Sequence, residues 1–227
     1  MANQLYVMNV EALNDDFLAR SAYDRLSKAR KSKADLFVFR KDRNLSLGAG
    51  LLLDFALRSF GLHEKDMLYG VQKNQKPAFL NKPDMHFNLS HSGSMAICAM
   101  SETKVGCDIE LLTDIGIEIA EHGFSKCEYG DIVSRASEAE RTEQFFRYWS
   151  LKESFMKFTG LGMALQPDSF EIQMNPTQIS VSQSGVVEPV CFTEYCAIPG
   201  YACAVCSLSD FSDTPLQWVT VAQALEE

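Results

Sequence analysis

Residues 137–158, SEAERTEQFFRYWSLKESFMKF, predict the longest helix of this chain. Acidic residues at its beginning and glycines at Gly160 and Gly162 are typical of the two ends of a helix. Its apolar side chains form a stripe, which has to be buried against a sheet or another helix. At about 100° per residue, Glu153 projects to the margin of this stripe and Lys152 projects into it.

The rest of the chain alternates shorter helices with strands. Residues 18–39, with a break near 32–35, and residues 45–60 predict helices, and residues 95–100 and 105–111 predict two strands that pair across a turn. Short strands and turns follow the long helix to the C-terminus. We therefore predict an α+β fold with two similar halves related by a pseudo-two-fold, each a small antiparallel sheet packed with helices. The predicted halves are residues 1–108 and 109–227.

The composition is that of a soluble globular protein, with 46% hydrophobic and 22% charged residues. No apolar run has the length of a membrane span and no signal peptide is evident, so we expect a cytoplasmic protein. The net charge of −9 argues against nucleic-acid binding. Seven cysteines are expected as reduced thiols, and the CxxC of Cys203 and Cys206, in an apolar strand, is interpreted as two buried hydrophobic side chains.

Basic residues are concentrated between Lys28 and Arg43, where seven Lys and Arg face only two Asp. In a protein that is acidic in total, such a cluster indicates a small, local anionic ligand. The alternative is a solvated helix face.

Asp108 and Glu110 alternate with apolar residues in a predicted strand, so their side chains share one face. Two carboxylates about 7 Å apart repel each other, and a bound cation would remove that repulsion. Oxygen ligands favour Mg²⁺ or Mn²⁺ over zinc. The alternative is a strand edge that exposes two acids to solvent.

Glu153 offers a third carboxylate between two bases of the long helix, Lys152 and Lys157. In one interpretation it completes the cation site and the lysines face a bound phosphate, as phosphoryl transfer requires. In the other, Glu153 and Lys157 form an ordinary helix pair four residues apart, and Lys152 lays its stem along apolar surface.

These stretches, in this order, resemble the Sfp-type 4′-phosphopantetheinyl transferases. VGCDIE at 105–110 matches the family pattern (I/V)GxD(I/V)E, and WSLKESFMKFTGLG at 149–162 matches WxxKE(S/A)xxKxxGxG. FNLSHS at 87–92 and FSKCEY at 124–129 resemble two further family segments. The resemblance covers nearly the whole chain and implies the fold of that family.

The resemblance implies an enzyme that transfers the 4′-phosphopantetheine arm of coenzyme A to a serine of an acyl or peptidyl carrier protein. The second product is 3′,5′-ADP, and Mg²⁺, with Mn²⁺ as an alternative, is the implied cofactor. Glu153 or a water molecule on the metal would take the proton of the serine, and Lys157 would stabilise the leaving group. The implied metal ligands are Asp108, Glu110 and Glu153.

The resemblance also implies how coenzyme A is bound. The 3′-phosphate would be bound by Lys28, Lys31 and Arg43, and the adenine would lie near Lys76 and Pro77. The phosphates would be bound by Lys152 and Lys157. Ser90 and His91 would make further contacts with coenzyme A. The first half would thus hold the basic region and part of the metal site, and the second half the catalytic helix.

Carrier proteins are usually acidic around the modified serine, so an acidic enzyme has to dock them through local features. The segment 111–125 contains Ile115, Ile117 and Phe124 and borders the carrier site in the family, which predicts an apolar docking patch. The alternative is that these residues close the core between the halves. We expect a monomer with neither nucleic acid nor membrane as a partner.

Two other functions stay open on sequence alone. One is an inactive homologue that binds coenzyme A or a carrier protein without turnover, although all the implied acids and lysines are present. The other is an unrelated Mg²⁺-dependent nucleotide enzyme, but the chain has neither a GxxxxGK[ST] nor a GxGxxG motif.

Overall fold

The structure of this protein is a computed structural model, which describes residues 2–71, 76–114 and 118–226. The described part is α+β, as predicted, and none of its helices combines the length and apolar character needed to span a bilayer. The helices are α1 (Asp16–Arg25), α2 (Lys28–Asp35), α3 (Arg40–Arg58), α4 (Glu118–Gly123), α5 (Lys126–Val133), α6 (Glu138–Thr159) and α7 (Val221–Leu225). The strands are β1 (Gln4–Asn9), β2 (Tyr69–Val71), β3 (Pro77–Phe79), β4 (His86–Ser92), β5 (Met95–Ser101), β6 (Val105–Leu111), β7 (Phe170–Asn175), β8 (Gln178–Gln183), β9 (Val186–Val187), β10 (Cys191–Glu194), β11 (Tyr201–Ser207) and β12 (Leu216–Trp218).

Two sheets form the centre of the molecule. The first has the strand order β12-β1-β5-β4, in which β12 runs parallel to β1 and the other pairs are antiparallel. The second is antiparallel with the order β10-β11-β6. A β2–β3 pair and a small sheet of β7, β8 and β9 lie beside them.

The main elements form four layers. Helix α3 packs on β1 and β5 of the first sheet, and α6 packs on β6 and β11 of the second. The two sheets face each other across a fully buried apolar layer that includes Val7, Ile97, Ile109 and Val205. This arrangement buries the apolar face of each helix and places α3 and α6 on opposite outer sides of the sheets.

The strand alternation of β11 explains the CxxC sequence. Cys203 lies in the layer between the two sheets, whereas Cys206 lies on the other face, in the core around α6. Both thiols are buried, which confirms their interpretation as small hydrophobic side chains.

One predicted strand pair is wrong. The sequence predicted that residues 95–100 and 105–111 pair with each other, but β5 pairs with β1 and β4, and β6 pairs with β11. The physical reason is that both strands carry apolar residues on the faces that meet, such as Ile97 and Val105, so they pack face to face instead of sharing backbone hydrogen bonds. The predicted division at residue 108 falls inside β6 and stays a prediction.

The predicted helix at 18–39 is two helices, and the break is at Ser27 rather than near 32–35. Ser27 caps α2 by accepting a hydrogen bond from the backbone N–H of Arg30. Its own backbone N–H and its hydroxyl donate to the fully buried carboxylate of Glu64, at 2.6 and 2.7 Å. The start of α2 is therefore fixed by a buried side chain from a distant part of the sequence.

The long helix is confirmed as α6. A capping box between Ser137 and Glu140 satisfies its first N–H groups, and Gly160 ends it in the left-handed conformation with a φ of 80°. This geometry matches the acidic start and glycine end on which the prediction rested.

Gly106 in β6 allows α6 to lie directly on the second sheet. A Cβ atom at this position would lie 2.1 Å from the carbonyl oxygen of Ser154 and 2.4 Å from the backbone nitrogen of Phe158. Both atoms belong to the backbone of α6, so a rotamer change could not relieve the clash. The contact therefore requires glycine at this position.

We predict that Gly106→Ala lowers the free energy of unfolding by about 2–3 kcal/mol, because the added methyl group forces α6 away from β6. The matched control is Gly130→Ala in α5, where an added Cβ would contact nothing within 4 Å. This control should raise stability by about 0.5–1 kcal/mol through helix propensity. Urea unfolding of both variants measures the difference, and equal stabilities would contradict the proposed contact.

Candidate active site

A cavity of about 300 Å³ lies where β4 and β6 meet α2, α3 and α6. Six of its lining residues are predicted site residues: Ser90, His91, Asp108, Glu110, Glu153 and Lys157. The others are Arg30, Lys33, Ser46, Ala49, Leu89 and Trp149. These residues come from distant parts of the sequence and share one cavity because α6 packs across β6 while β4 lies beside it.

Side chains, rather than a backbone ladder, join β4 to β6. Asn88 Oδ1 accepts a hydrogen bond from the Cys107 N–H at 2.8 Å, and Ser92 Oγ accepts one from the Leu111 N–H at 3.1 Å. Ser90, between Asn88 and Ser92 on the same face of the strand, lines the cavity. The FNLSHS segment therefore fixes β6 beside β4 through its alternate residues.

An ion pair between a buried carboxylate and a partly exposed ammonium group forms one wall of the cavity. Lys157 Nζ lies 2.5 Å from Asp108 Oδ1 and donates to Ser90 Oγ at 2.8 Å. Burial alone would favour the neutral amine, but the Asp108 carboxylate outweighs it and raises the pKa of Lys157, so this side chain stays an ammonium. Asp108 is 1% exposed, and its second oxygen, Oδ2, is buried without a hydrogen-bond partner.

The charged forms of the other two acids of the cavity, Glu110 and Glu153, are less favourable here than in water. Burial, and then the charge of Asp108, raise the pKa of Glu110 to about 7. Burial also raises the pKa of Glu153, although Lys157 opposes this shift. Of the three cations that line the cavity, Lys157 forms an ion pair with one of these acids, Asp108, so a cation close to Glu110 and Glu153 would relieve the remaining repulsion.

The donor set fits a divalent cation that prefers oxygen, although the carboxylates are not gathered around one point. Within the described ranges, no three His, Cys, Asp or Glu side chains are close enough together to hold a metal ion as they stand. Asp108 Oδ1 is engaged by Lys157, while the buried Oδ2 has no hydrogen-bond partner. That orphaned oxygen and the raised pKa of Glu110 are the observations that favour a cation here.

Two cations that the sequence patterns did not single out, Arg30 and Lys33, line the same cavity from α2. Arg30 donates from Nη2 to the Ser46 carbonyl at 3.0 Å, but its buried Nε has no partner, and burial lowers the pKa of this guanidinium. They lie three residues apart, on one helix face, and this spacing was the available sequence signal. A partly unpaired, buried guanidinium indicates an anionic ligand.

Comparison with known sequences agrees with this geometry. The 4′-phosphopantetheinyl transferase superfamily matches residues 104–206, the segment that contains β6 and α6. The 4′-phosphopantetheinyl transferase Sfp of Bacillus subtilis (strain 168) is 35% identical over 184 residues, which cover 80% of this chain and 82% of that protein. The chain belongs to the 4′-phosphopantetheinyl transferase family.

Other members of this transferase family are similar over most of their length. The 4′-phosphopantetheinyl transferase gsp of Aneurinibacillus migulanus is 34% identical and covers 85% of this chain and 82% of its own. The 4′-phosphopantetheinyl transferase HetI of a Nostoc species is 29% identical, with 67% of each chain covered.

A second cavity of about 430 Å³ adjoins the first, because Arg30, Lys33 and Leu89 line both. Its remaining lining residues are Ala29, Tyr69, Gly70, Val71, Pro77, Phe87 and Asn88. Pro77, for which the family resemblance implies contact with the adenine, therefore lines this second cavity. Lys76 is not part of this lining, since its ammonium donates to the Val105 carbonyl at 2.6 Å and burial lowers its pKa to about 8.

The other basic residues predicted to bind coenzyme A line neither cavity. Lys31 donates to the Asp24 carbonyl at 3.0 Å and lies over the ring of Tyr23. Arg43 lies over the same ring and pairs with Asp35 at 3.5 Å. Lys28 is exposed at the start of α2. The structure therefore separates these three residues from Arg30 and Lys33 of the same basic segment.

Lys152 is also separate from the cavity. Its side chain is fully buried and forms an ion pair with Glu128 at 2.8 Å, and it donates to the carbonyls of Pro167 and Phe170, each at 2.8 Å. All three protons of the ammonium are thus used in the core. Lys152 and Glu153 are adjacent in the sequence, but Lys152 is buried in the core and Glu153 lines the cavity.

Of the three predicted carrier-docking residues, the structure describes only Phe124, and its side chain is buried. Phe124 is 5% exposed, and its ring packs against those of Phe145 and Trp149 in the core around α6. It therefore lies neither on a docking surface nor in the apolar layer between the two sheets. Ile115 and Ile117 lie outside the described residues.

We predict that Glu110→Gln stabilises the protein at pH 8 in the presence of a chelator, by about 1–3 kcal/mol. The pKa of Glu110 is near 7 in the folded protein, against 4.5 for an unperturbed carboxyl, so the folded state binds the proton more tightly. Stability contributed by this group is present below about pH 4.5 and is lost as the pH rises to about 7. Urea unfolding at pH 8 and pH 4.5 should show the gain only at pH 8.

The control for this prediction is Glu143→Gln, at an exposed position of α6. It should change the free energy of unfolding little at either pH, because its carboxylate is solvated in both states. A gain for Glu110→Gln of the same size at both pH values would contradict the charge repulsion proposed for the cavity.

Proposed function

We propose that this protein is a Mg²⁺-dependent 4′-phosphopantetheinyl transferase that modifies a serine of an acyl or peptidyl carrier protein. The serine hydroxyl attacks the phosphorus that carries the pantetheine arm of coenzyme A. The bond from that phosphorus to the bridging oxygen breaks, and 3′,5′-ADP leaves. The observation that carries this proposal is the single cavity with carboxylates on β6 and α6 and cations on α2 and α6.

The cations of the cavity bind the phosphates of coenzyme A. Lys157, held as an ammonium by Asp108, faces the bond that breaks and stabilises the charge that develops on the leaving group. Arg30 and Lys33 lie between the two cavities and bind phosphate oxygens on the nucleotide side. Burial and the nearby Lys33 and Lys157 lower the pKa of His91, which favours its neutral form as a hydrogen-bonding group of the cavity.

The adenine occupies the second cavity. Pro77, Tyr69 and Phe87 give this cavity an apolar and aromatic lining that suits a flat base. Arg30 and Lys33, which border it, then lie beside the phosphates that follow the ribose. This placement orients the pyrophosphate towards Asp108 and Lys157.

Asp108, Glu110 and Glu153 hold the cation, which is Mg²⁺, or Mn²⁺ in its place. When bound, such a cation neutralises charge on the pyrophosphate and supports departure of the leaving group. Burial raises the pKa of Glu153, which favours it as the acceptor of the serine proton, whereas coordination to the cation would make it a weaker base, so the two roles compete. All of these side chains belong to one chain, so we propose that the enzyme acts as a monomer, in the cytoplasm where its seven thiols stay reduced.

The direct test is to incubate the protein with coenzyme A, Mg²⁺ and a panel of apo carrier proteins and to measure carrier mass. A carrier should gain the mass of the phosphopantetheine arm, and a chelator should stop the reaction. Glu153→Gln keeps an oxygen for the cation but cannot accept a proton, so kcat should fall by about 10²-fold or more with little change in the KM for coenzyme A. Binding of coenzyme A without any mass gain by a carrier would show an inactive homologue.

The nucleotide side is tested by Arg30→Met and its matched control, Lys28→Met. Loss of a charge-assisted contact should raise the KM for coenzyme A roughly tenfold or more in the Arg30 variant. The Lys28 variant should keep the KM of the wild type, since Lys28 is exposed and lines neither cavity. An increase for Lys28→Met alone would instead favour the 3′-phosphate contact that the family resemblance implies.

A further inference from the structure

A fully buried acid, Glu64, lines neither cavity but bonds two elements that do. One carboxylate oxygen accepts the backbone N–H of Ser27 at 2.6 Å. The other accepts the hydroxyl of Ser27 at 2.7 Å and the phenol of Tyr69. Both oxygens of this buried carboxylate are therefore used to hold the start of α2 and the side chain of Tyr69.

Helix α2 has little apolar surface with which to hold its place. It is eight residues long, four of them are Lys or Arg, and Ala34 is its one buried residue. A helix of this length is marginal by itself, and cations in its first turn oppose the helix dipole. Glu64 supplies a negative charge at this N-terminus from a different part of the chain, because its carboxylate accepts the N–H of Ser27. The position of α2 therefore depends on this buried contact.

The start of α2 decides where two cations of the proposed coenzyme A site lie. The hydroxyl of Ser27 accepts the backbone N–H of Arg30 at 3.2 Å. The side chain of Arg30 lines both cavities, and Lys33, three residues further along the helix, does the same. A change at Ser27 would thus move both cations relative to the phosphates that they bind in the proposed function.

The second contact of Glu64 fixes an aromatic wall of the second cavity. Tyr69 and Phe87 both line that cavity, with 6.3 Å between their ring centroids, and Tyr69 also packs against Phe79 at 5.5 Å. Burial, and then the charge of Glu64, raise the pKa of Tyr69, so the phenol keeps its proton and donates it to Glu64. The hydrogen bond therefore sets the orientation of the Tyr69 ring.

We propose that Glu64 is a positioning residue for coenzyme A, which acts through Ser27 on the cations of α2 and through Tyr69 on the wall of the adenine cavity. This inference rests on the proposed transferase function. Glu64 itself does not touch the substrate. Its carboxylate keeps the phosphate-binding side chains and the aromatic wall in one fixed relation, so the nucleotide enters a site that is already formed.

The test compares two substitutions of Glu64 by calorimetric titration of the full chain with 3′,5′-ADP. Glu64→Met is similar in length but offers no oxygen, so the N–H of Ser27 is left unpaired and the dissociation constant should rise about tenfold or more. Glu64→Gln keeps a carbonyl oxygen for this N–H, and its amide can donate to the two hydroxyl oxygens, so the constant should stay within about threefold of the wild type. Equal weakening by both variants would assign the effect to the lost charge and overturn the positioning role.

Tyr69→Phe tests the same connection in a variant that keeps the ring, even if Glu64→Met does not fold. It removes one hydroxyl, and the dissociation constant for 3′,5′-ADP should rise about threefold or more. With Glu64→Met added, the rise should be smaller than the product of the two single increases, because both variants remove the same hydrogen bond. An unchanged constant in Tyr69→Phe, or a full product in the double variant, contradicts the proposed link.

The matched control is Val181→Ala in β8, a fully buried position of the small β7–β9 sheet. It lowers stability by creating a cavity in the core around α6 and contacts neither α2 nor Tyr69. Urea unfolding measures its loss of stability beside that of Glu64→Met, and its dissociation constant for 3′,5′-ADP should equal that of the wild type. Weakening as large as in Glu64→Met would show a general effect of lower stability and overturn the proposal.

Turnover separates this proposal from the transferase function. Glu64→Met should raise the KM for coenzyme A and change kcat less than about twofold, because Lys157 and the acids of the cavity lie on other elements. If its KM and dissociation constant equal those of the wild type while carriers gain the arm, the transferase function stands and the positioning role is wrong. If binding of 3′,5′-ADP depends on Glu64 but no carrier gains the arm, the positioning role stands and the proposed reaction is wrong. A wild type that binds neither 3′,5′-ADP nor coenzyme A overturns both.

Discussion

The close packing of α6 against β6 is the constraint on which the rest of the site depends. Gly106 lets the two backbones approach, and this approach brings Lys157 to the buried carboxylate of Asp108. A buried carboxylate without its cation would cost several kcal/mol, so the ion pair and the packing support each other. The same contact carries Glu153 into the cavity beside the two acids of β6.

Acidic and basic side chains line different walls of the cavity, and several of them are less favourable in their charged form there than in water. Its acids lie on β6 and α6, and their mutual repulsion and burial raise the pKa of Glu110 and Glu153. Its extra cations lie on α2, where Arg30 has a buried nitrogen with no hydrogen-bond partner. In the proposed function, a cation would lower the repulsion among the acids and a polyanion would pair with the cations, which is how a binding site can cost stability before its ligands bind.

Helix α2 links the cavity to the protein surface. Its start is fixed by the hydrogen bonds of Ser27 with buried Glu64, and Tyr69, which also bonds Glu64, lines the second cavity. One face of the helix, with Arg30 and Lys33, thus serves the proposed nucleotide site. Because the start of this helix is fixed, Arg30 and Lys33 keep a constant position at the cavity.

The sequence by itself determined the α+β class and the long capped helix, because periodicity and capping are local properties. Its motifs also singled out Asp108, Glu110, Glu153 and Lys157 of the cavity, but not Arg30 and Lys33. It did not determine that β5 and β6 belong to different sheets, since apolar strands can share a ladder or pack face to face. Only the tertiary structure decided which of two neighbouring charged residues lines the cavity. Lys152 points into the core to meet Glu128, whereas Glu153 turns into the cavity, because the helix is packed on both of these sides.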